Sequence, residues 1–176
     1  MKKIVAMLLA LMMMACCAAC AEAPAVEAKS EGVMTYAEYA AAAIDAEVVV
    51  ETYVQAKQGW WEKEGQGVGT FYTQNEEGAY FLYDMPCTKE QYDALTTGTK
   101  IRVTGYKAEF SGEIEIIDAT YEVLEGSFTA TAKDVTALLG TEDLIKEMNK
   151  FASFKGMTVA ASKNAEGEDV AYLYKW

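Results

Sequence analysis

Two adjacent tryptophans, Trp60 and Trp61, lie in the glycine-flanked run 58–67 (QGWWEKEGQG). Rings of that size offer one kind of chemistry, stacking on sugar rings, peptide side chains or unpaired bases. The other reactive residue types are sparse. The chain has no histidine, which removes Ser-His and Cys-His pairs and the commonest metal ligand. Of its four cysteines, Cys16, Cys17, Cys20 and Cys87, only Cys87 lies far from the N-terminus. It follows Met85-Pro86 and reads as a buried small apolar residue rather than a reactive thiol. Glu62, Glu64, Glu76 and Glu77 lack the alternating ligand spacing of a calcium loop. Glu113 and Glu115 share one face of a strand, as solvated surface residues do, and no carboxylate pair has the desolvated setting of an acid and a base. Gly65-x-Gly67-x-Gly69 joins two strands, whereas a phosphate loop precedes a helix. The residues point to binding and not to an enzyme, with no catalytic residue, metal site or cofactor.

At the N-terminus Lys2 and Lys3 lead into an apolar run from Ile4 to Ala19, shorter than the roughly 20 residues of a membrane-spanning helix. A basic start, a short apolar stretch and small residues mark a secretory signal peptide. The run ends Cys17-Ala18-Ala19-Cys20, followed by Ala21-Glu22-Ala23-Pro24. This resembles the lipobox of bacterial lipoproteins, in which small residues precede a cysteine that is lipidated and becomes the mature N-terminus. Cys17 stands where that family usually has leucine. Cys16 and Cys17 are rival acceptors, and the two alanines favour Cys20. The resemblance implies a signal peptide over 1–19, a lipid on Cys20, and a protein exported and anchored to the outer face of the cell membrane, where two or more acyl chains hold stably. Residues 20–34, small and polar, then form the lipidated end and a flexible linker.

Cleavage before Cys20 removes two of the 15 basic residues and leaves 13 facing 27 acidic ones, a net charge of −14. So acidic a chain repels phosphate backbones, which argues against nucleic-acid binding.

Past the linker, Thr35-Tyr-Ala-Glu38 has the form of a capping box opening a short helix to Ile44. From Glu47 the apolar period changes to two, with Val48, Val50, Thr52, Val54 and Ala56 on one side and Glu51, Tyr53, Gln55 and Lys57 on the other, a half-buried strand. Residues 58–67 read as a loop. Val68 to Gln74 is a second strand with Gly69 a candidate bulge, residues 75–78 a turn, and Ala79 to Met85 a third strand. Thr88 and Gln91 open another helix that stops near Gly98. A fourth strand over 99–107, a turn at 108–112 and a fifth strand over 113–124, with a bulge near Ile116-Ile117, complete the series.

The reading is mainly β with short helices (α+β), in the order β-β-β-α-β-β. That order resembles the OB fold, a five-stranded partly open barrel, with the N-terminal helix included over residues 35–125. Residues 126–176 read as helices starting at Thr131 and Thr141, then two strands around a turn at 164–167. They resemble the opening of a second OB-like unit, which implies either a fragment of a longer protein or a hairpin packed on the first barrel.

OB barrels bind on the face of strands two and three, between the loop after strand one and the loop joining strands four and five. The resemblance therefore implies a ligand site made of Trp60 and Trp61, Phe71 and Tyr72, Tyr80 and Tyr83, and Phe110. From about Ala46 to Glu125 the chain looks most like OB-type lipoproteins of bacterial cell envelopes, which implies, with the lipobox-like start, a membrane-anchored binding module for an envelope glycan or peptide. An adaptor that contacts another envelope protein is the alternative, and single-stranded nucleic acid comes behind both.

Overall fold

The longest strand sets the architecture, because it is long enough to serve two neighbours. The computed structural model describes residues 29–174. The expected signal segment 1–19, Cys20 with its rivals Cys16 and Cys17, the expected linker as far as residue 28, and residues 175–176 lie outside the described residues. The molecule is mainly β with a few short helices. Strand β1 (Glu47–Lys63) pairs antiparallel with β4 (Thr99–Phe110) along its first part, from Glu47 to Tyr53. From Tyr53 onward it pairs with β2 (Gln66–Gln74), through register shifts at Val54/Ala56 and Lys57/Gly59. β2 pairs with β3 (Ala79–Pro86), and β4 with β5 (Glu113–Ser127). One parallel register point, Leu82 opposite Ile116, joins β3 to β5 and closes the sheet in the order β1-β2-β3-β5-β4.

Alternation along these strands turns Val48, Val50, Val54, Phe71, Tyr80, Leu82, Met85, Ile101, Val103, Ile116 and Ala119 into one buried cluster. Burying a large apolar side chain contributes about 1.5–3 kcal/mol, so this interior is the main source of stability. Gly105 lets the wall curve tightly. The register between β4 and β5 slips between Thr104 and Tyr106, opposite Asp118, which has a φ of 49°. A Cβ on Gly105 would lie 2.7 Å from Ile116 Cγ2 and 2.8 Å from the Ile117 carbonyl oxygen. The bulge thus falls one or two residues past Ile116-Ile117.

Both helices start as the sequence indicates. Helix α1 (Tyr36–Ala41) is capped by Thr35, with Glu38 closing the box, and α2 (Lys89–Ala94) by Thr88 with Gln91. Such caps contribute about 1 kcal/mol each. Neither helix has a basic residue in its last turn, where cations are favoured. Strand lysines supply them. Buried Lys107 donates to the carbonyls of Tyr39, Ala40 and Ala42 at 3.1, 2.9 and 2.8 Å. Lys57 donates to the Tyr92 carbonyl at 2.7 Å. α1 lays Tyr36 and Tyr39 edge-on against Tyr80 at the start of β3, and Tyr92 of α2 packs on Phe71.

Two expectations are corrected. Residues 58–67 are not a loop: β1 runs on through Trp60 and Trp61, which pair with Gly69 and Val68. The connection shrinks to Glu64-Gly65, both at positive φ (54° and 81°), as primed two-residue hairpin turns require. The turn at 108–112 likewise narrows to Ser111-Gly112, with φ of 51° and 88°.

The α-helices expected from Thr131 and Thr141 are also absent. In their place are 3-10 turns, Thr136–Leu138 and Glu142–Glu147, and a two-residue parallel pairing of β6 (Lys133–Asp134) with β7 (Ala152–Ser153). Polar side chains at these starts serve other contacts. Asp134 Oδ1 accepts from the Thr136 amide and hydroxyl, and the Thr141 hydroxyl donates back to the Leu138 carbonyl. Short segments without a cap cannot offset the cost of nucleating a helix. Gln55 fastens this stretch to β1 through the Phe128 carbonyl and the Ala130 amide. Asn149 and Phe151 fasten it to Ile114 and Gln74. Strands β8 (Thr158–Lys163) and β9 (Asp169–Tyr174) form a separate two-stranded sheet around the Asn164 turn.

Gly105→Ala should lower the unfolding free energy by about 1–3 kcal/mol, the range for overpacking, because backbone as well as side chain blocks the new methyl. Urea denaturation checks this. A loss below about 0.5 kcal/mol would mean the β4–β5 pair spreads without resistance.

Candidate functional site

The outer face of β2, β3 and β5 gathers aromatic rings and carboxylates. Tyr80 and Leu82 point inward and are fully buried, so the pleat turns Phe81 and Tyr83 outward. Tyr72 of β2 lies 4.9 Å from Phe81, centroid to centroid, and Phe81 lies 6.2 Å from Tyr83. Phe81 is covered, Tyr72 is half-buried and Tyr83 is 39% exposed, so the row of rings opens toward solvent at Tyr83.

After Tyr83 the strand bulges. The register between β2 and β3 slips between Gly69 and Phe71, opposite Tyr83 and Asp84, and Asp84 takes a φ of 48°. Its amide donates to Thr70 Oγ1, and its side chain is only 9% exposed. Asp84 Oδ2 accepts from Lys63 Nζ at 2.6 Å, while Oδ1 is buried with no hydrogen-bond partner. The Lys63 ammonium also lies 5.6 Å from the centre of the Tyr83 ring. Its hydrogen bond and ion pair with Asp84 raise its pKa above the usual lysine value.

The third edge is β5. Glu113 and Glu115 alternate with Ile114 and Ile116, and because Ile116 is an interior residue, the two glutamates face out. Glu115 is nevertheless only 8% exposed. Burial, then the negative charges of Glu113 and Asp84, raise its pKa above the ordinary glutamate value. Burial raises the Tyr72 phenol as well, with Glu113 adding to it. Glu115 therefore sits within electrostatic reach of both Glu113 and Asp84, and Lys63 is paired to Asp84. Among the described residues no group of three or more acidic or cysteine side chains converges closely enough to hold a metal ion.

The seven aromatic residues singled out in the sequence are thus divided. Tyr72 and Tyr83 belong to the exposed face. Phe71 and Tyr80 are fully buried in the barrel interior, which withdraws them from any ligand. Trp60 is half-buried, and its Nε1 donates to the Cys87 carbonyl at 3.0 Å. Gly67 makes that possible, since a Cβ there would lie 2.7 Å from the Cys87 oxygen and 2.8 Å from the indole. Trp61, also half-buried, packs along Gly59 of its own strand. Phe110 is 72% exposed at the tip of the β4–β5 hairpin. Cys87 is buried, and burial raises its thiol pKa.

Phe81, Lys63 and Asp84 were missed by sequence reasoning. Phe81 could have been found from its alternation with Tyr83. Asp84 could not, because the bulge changes which way its side chain points.

Two clefts border other surfaces. One, about 290 Å³, lies between α1, Lys107, Ile114 and Met148. The other, about 690 Å³ and wide open, is lined by Leu144, Ile145, Met148 and Phe154 among others. The sequence matches no known protein family and no curated protein.

Because the pKa of Glu115 is raised in the folded state, its ionisation costs stability progressively as the pH climbs above the ordinary glutamate value, and the cost is complete above the raised one. Glu115→Gln should therefore stabilise the protein at pH 7–8, and the gain should shrink to nothing in acid, where Glu115 is protonated. Thermal unfolding of both proteins across that range tests this. A variant that is less stable at pH 8 would show that Glu115 makes a stabilising contact as a carboxylate.

Proposed function

We propose that the chain is a lipid-anchored binding module of the bacterial cell envelope, exported, tethered through Cys20, and built on an OB-like barrel spanning residues 35–125. The observation that carries the reading is the Tyr72–Phe81–Tyr83 row on the outer side of β2 and β3, the face on which OB barrels engage ligands. Supporting the barrel assignment are the closed strand order and the helix between the third and fourth strands. The lipobox-like Cys17-Ala18-Ala19-Cys20 supports the anchor. In this reading residues 20–34 hold the barrel away from the membrane, and an envelope glycan or peptide stacks on Tyr83 and Tyr72. The protein acts by binding and not by catalysis. Glu113 and Glu115 set this face against phosphate, in keeping with the acidic chain as a whole.

The second reading, an adaptor for another envelope protein, is favoured by one observation. Ile145, Phe151 and Phe154 are 63%, 51% and 42% exposed, with Ile145 and Phe154 lining the open cleft. Exposed apolar groups gathered in this way suit a protein contact better than a small ligand.

Isothermal calorimetry of the purified chain against neutral cell-wall oligosaccharides and short envelope peptides tests the first reading. Tyr83→Ala should weaken the ligand that binds by about tenfold, the worth of one stacked ring. If Tyr83→Ala binds every compound as the parent does, the aromatic face is not the site and the adaptor reading takes its place.

A further inference from the structure

Within the face just described, the rings and the carboxylates belong to a single arrangement, and one side chain already demonstrates its use. Lys63 places its ammonium between the Asp84 carboxylate, at 2.6 Å, and the face of Tyr83, at 5.6 Å. An aromatic face and a carboxylate acting together on one cation is the recurrent way of holding an alkylammonium or guanidinium group. Yet Lys63 is a loose occupant. It projects from the last residue of β1 with a side chain 54% exposed, and it satisfies only one oxygen of Asp84. The other, Oδ1, is buried and unpartnered. Leaving such an acceptor without a donor costs more than an exposed ion pair contributes.

We propose that the β2–β3–β5 face binds the cationic side chain of a lysine- or arginine-bearing peptide, and that Lys63 is the internal stand-in which such a side chain displaces. The proposal rests on the binding-module reading and names its ligand class. Displacement frees the Lys63 head into water. The incoming cation takes its place over Tyr83 beside Asp84, within electrostatic reach of Glu115, which interacts with Asp84 and Glu113. Glu115 is the second half of the argument: it is buried beside two like charges, a setting that one more positive charge relieves. A metal ion does not suit the place, because the carboxylates do not converge on a point among the described residues. A neutral sugar would stack on Tyr83 but leave the charges of Glu113 and Glu115 uncompensated. An organic cation on a flexible side chain meets both demands.

The test uses fluorescence anisotropy of a dye-labelled tetralysine peptide with the purified full chain, and the same peptide acetylated on every lysine as a neutral control. Because the protein is acidic overall, each variant is paired with one of equal charge change elsewhere. Glu115→Gln and Tyr83→Ala should weaken tetralysine about tenfold, whereas Glu168→Gln, on the β8–β9 turn, should leave it within about twofold. Lys63→Met should tighten binding severalfold beyond any gain in Lys163→Met, since it removes the internal competitor. The acetylated peptide should not bind. Far-ultraviolet circular dichroism confirms that each variant is folded. Equal weakening by Glu115→Gln and Glu168→Gln would reduce the effect to net charge and overturn the proposal, as would unchanged or weaker binding by Lys63→Met. If Tyr83→Ala loses a neutral oligosaccharide while tetralysine fails these comparisons, the binding-module reading stands and the cationic ligand falls.

Discussion

A strand that must hydrogen-bond to two different neighbours in succession is the constraint on which this molecule depends. β1 gives its first seven residues to β4 and the remainder to β2. Just past the change of partner at Tyr53 it carries two register shifts, at Val54/Ala56 and Lys57/Gly59, and such bulges bend a strand. That bend turns a flat antiparallel sheet into a closed one, with β3 and β5 meeting at a single point on the far side. Closure leaves the barrel few unpaired edges and makes one side of every strand an interior. The valines of β1, the aromatic rings of β2 and β3 and the isoleucines of β4 and β5 then become one core. The face outside β2, β3 and β5 exists only as the reverse of that core.

Positive charge is scarce, and part of it goes into building. In a chain of net charge −12, Lys107 is buried against the end of α1, and Lys57 reaches the end of α2. Lys100 is buried 3.4 Å from Glu51 on the wall between β1 and β4. Each helix has only six residues, too short to persist alone. Each is held by a side-chain box at its start and a lysine from a strand at its end, so helix and barrel stabilise one another. The lysines spent on this leave the outer surface more acidic than composition alone would suggest.

The sequence was informative where local chemistry decides conformation. Thr35 with Glu38, Thr88 with Gln91 and the Asn75 turn all rest on hydrogen bonds within four residues, and all form where the residue types indicate. The order of strands and the inward valines followed from period two. Local chemistry misled where an element is decided by its partner. The glycines of 58–67 suggested a loop, yet pairing with β2 carries the strand through them to Glu64-Gly65. Thr131 and Thr141 looked like starts of α-helices, but only a 3-10 turn follows Thr141, whose hydroxyl donates back to Leu138, and Asp134 caps Thr136 instead. At the site, composition identified aromatic strands without separating their two faces. Strict alternation would have kept Phe71 and Tyr80 apart from Tyr72 and Tyr83. The carboxylates of Asp84 and Glu115 meet the rings only through the bulge in β3 and its junction with β5, neither of which leaves a mark in the chain.

Cys87 closes the end of β3 in a way that has a use of its own. Its amide donates to the Gly67 carbonyl, its carbonyl receives the Trp60 indole, and its thiol is 3% exposed. A reagent can reach the sulfur only when the packing around it opens. The thiol is therefore a clock for one corner of the barrel: its alkylation rate, divided by that of an open thiol, gives the fraction of time this corner stands ajar. The same enclosure shields the sulfur from exchange with other thiols while the fold is shut.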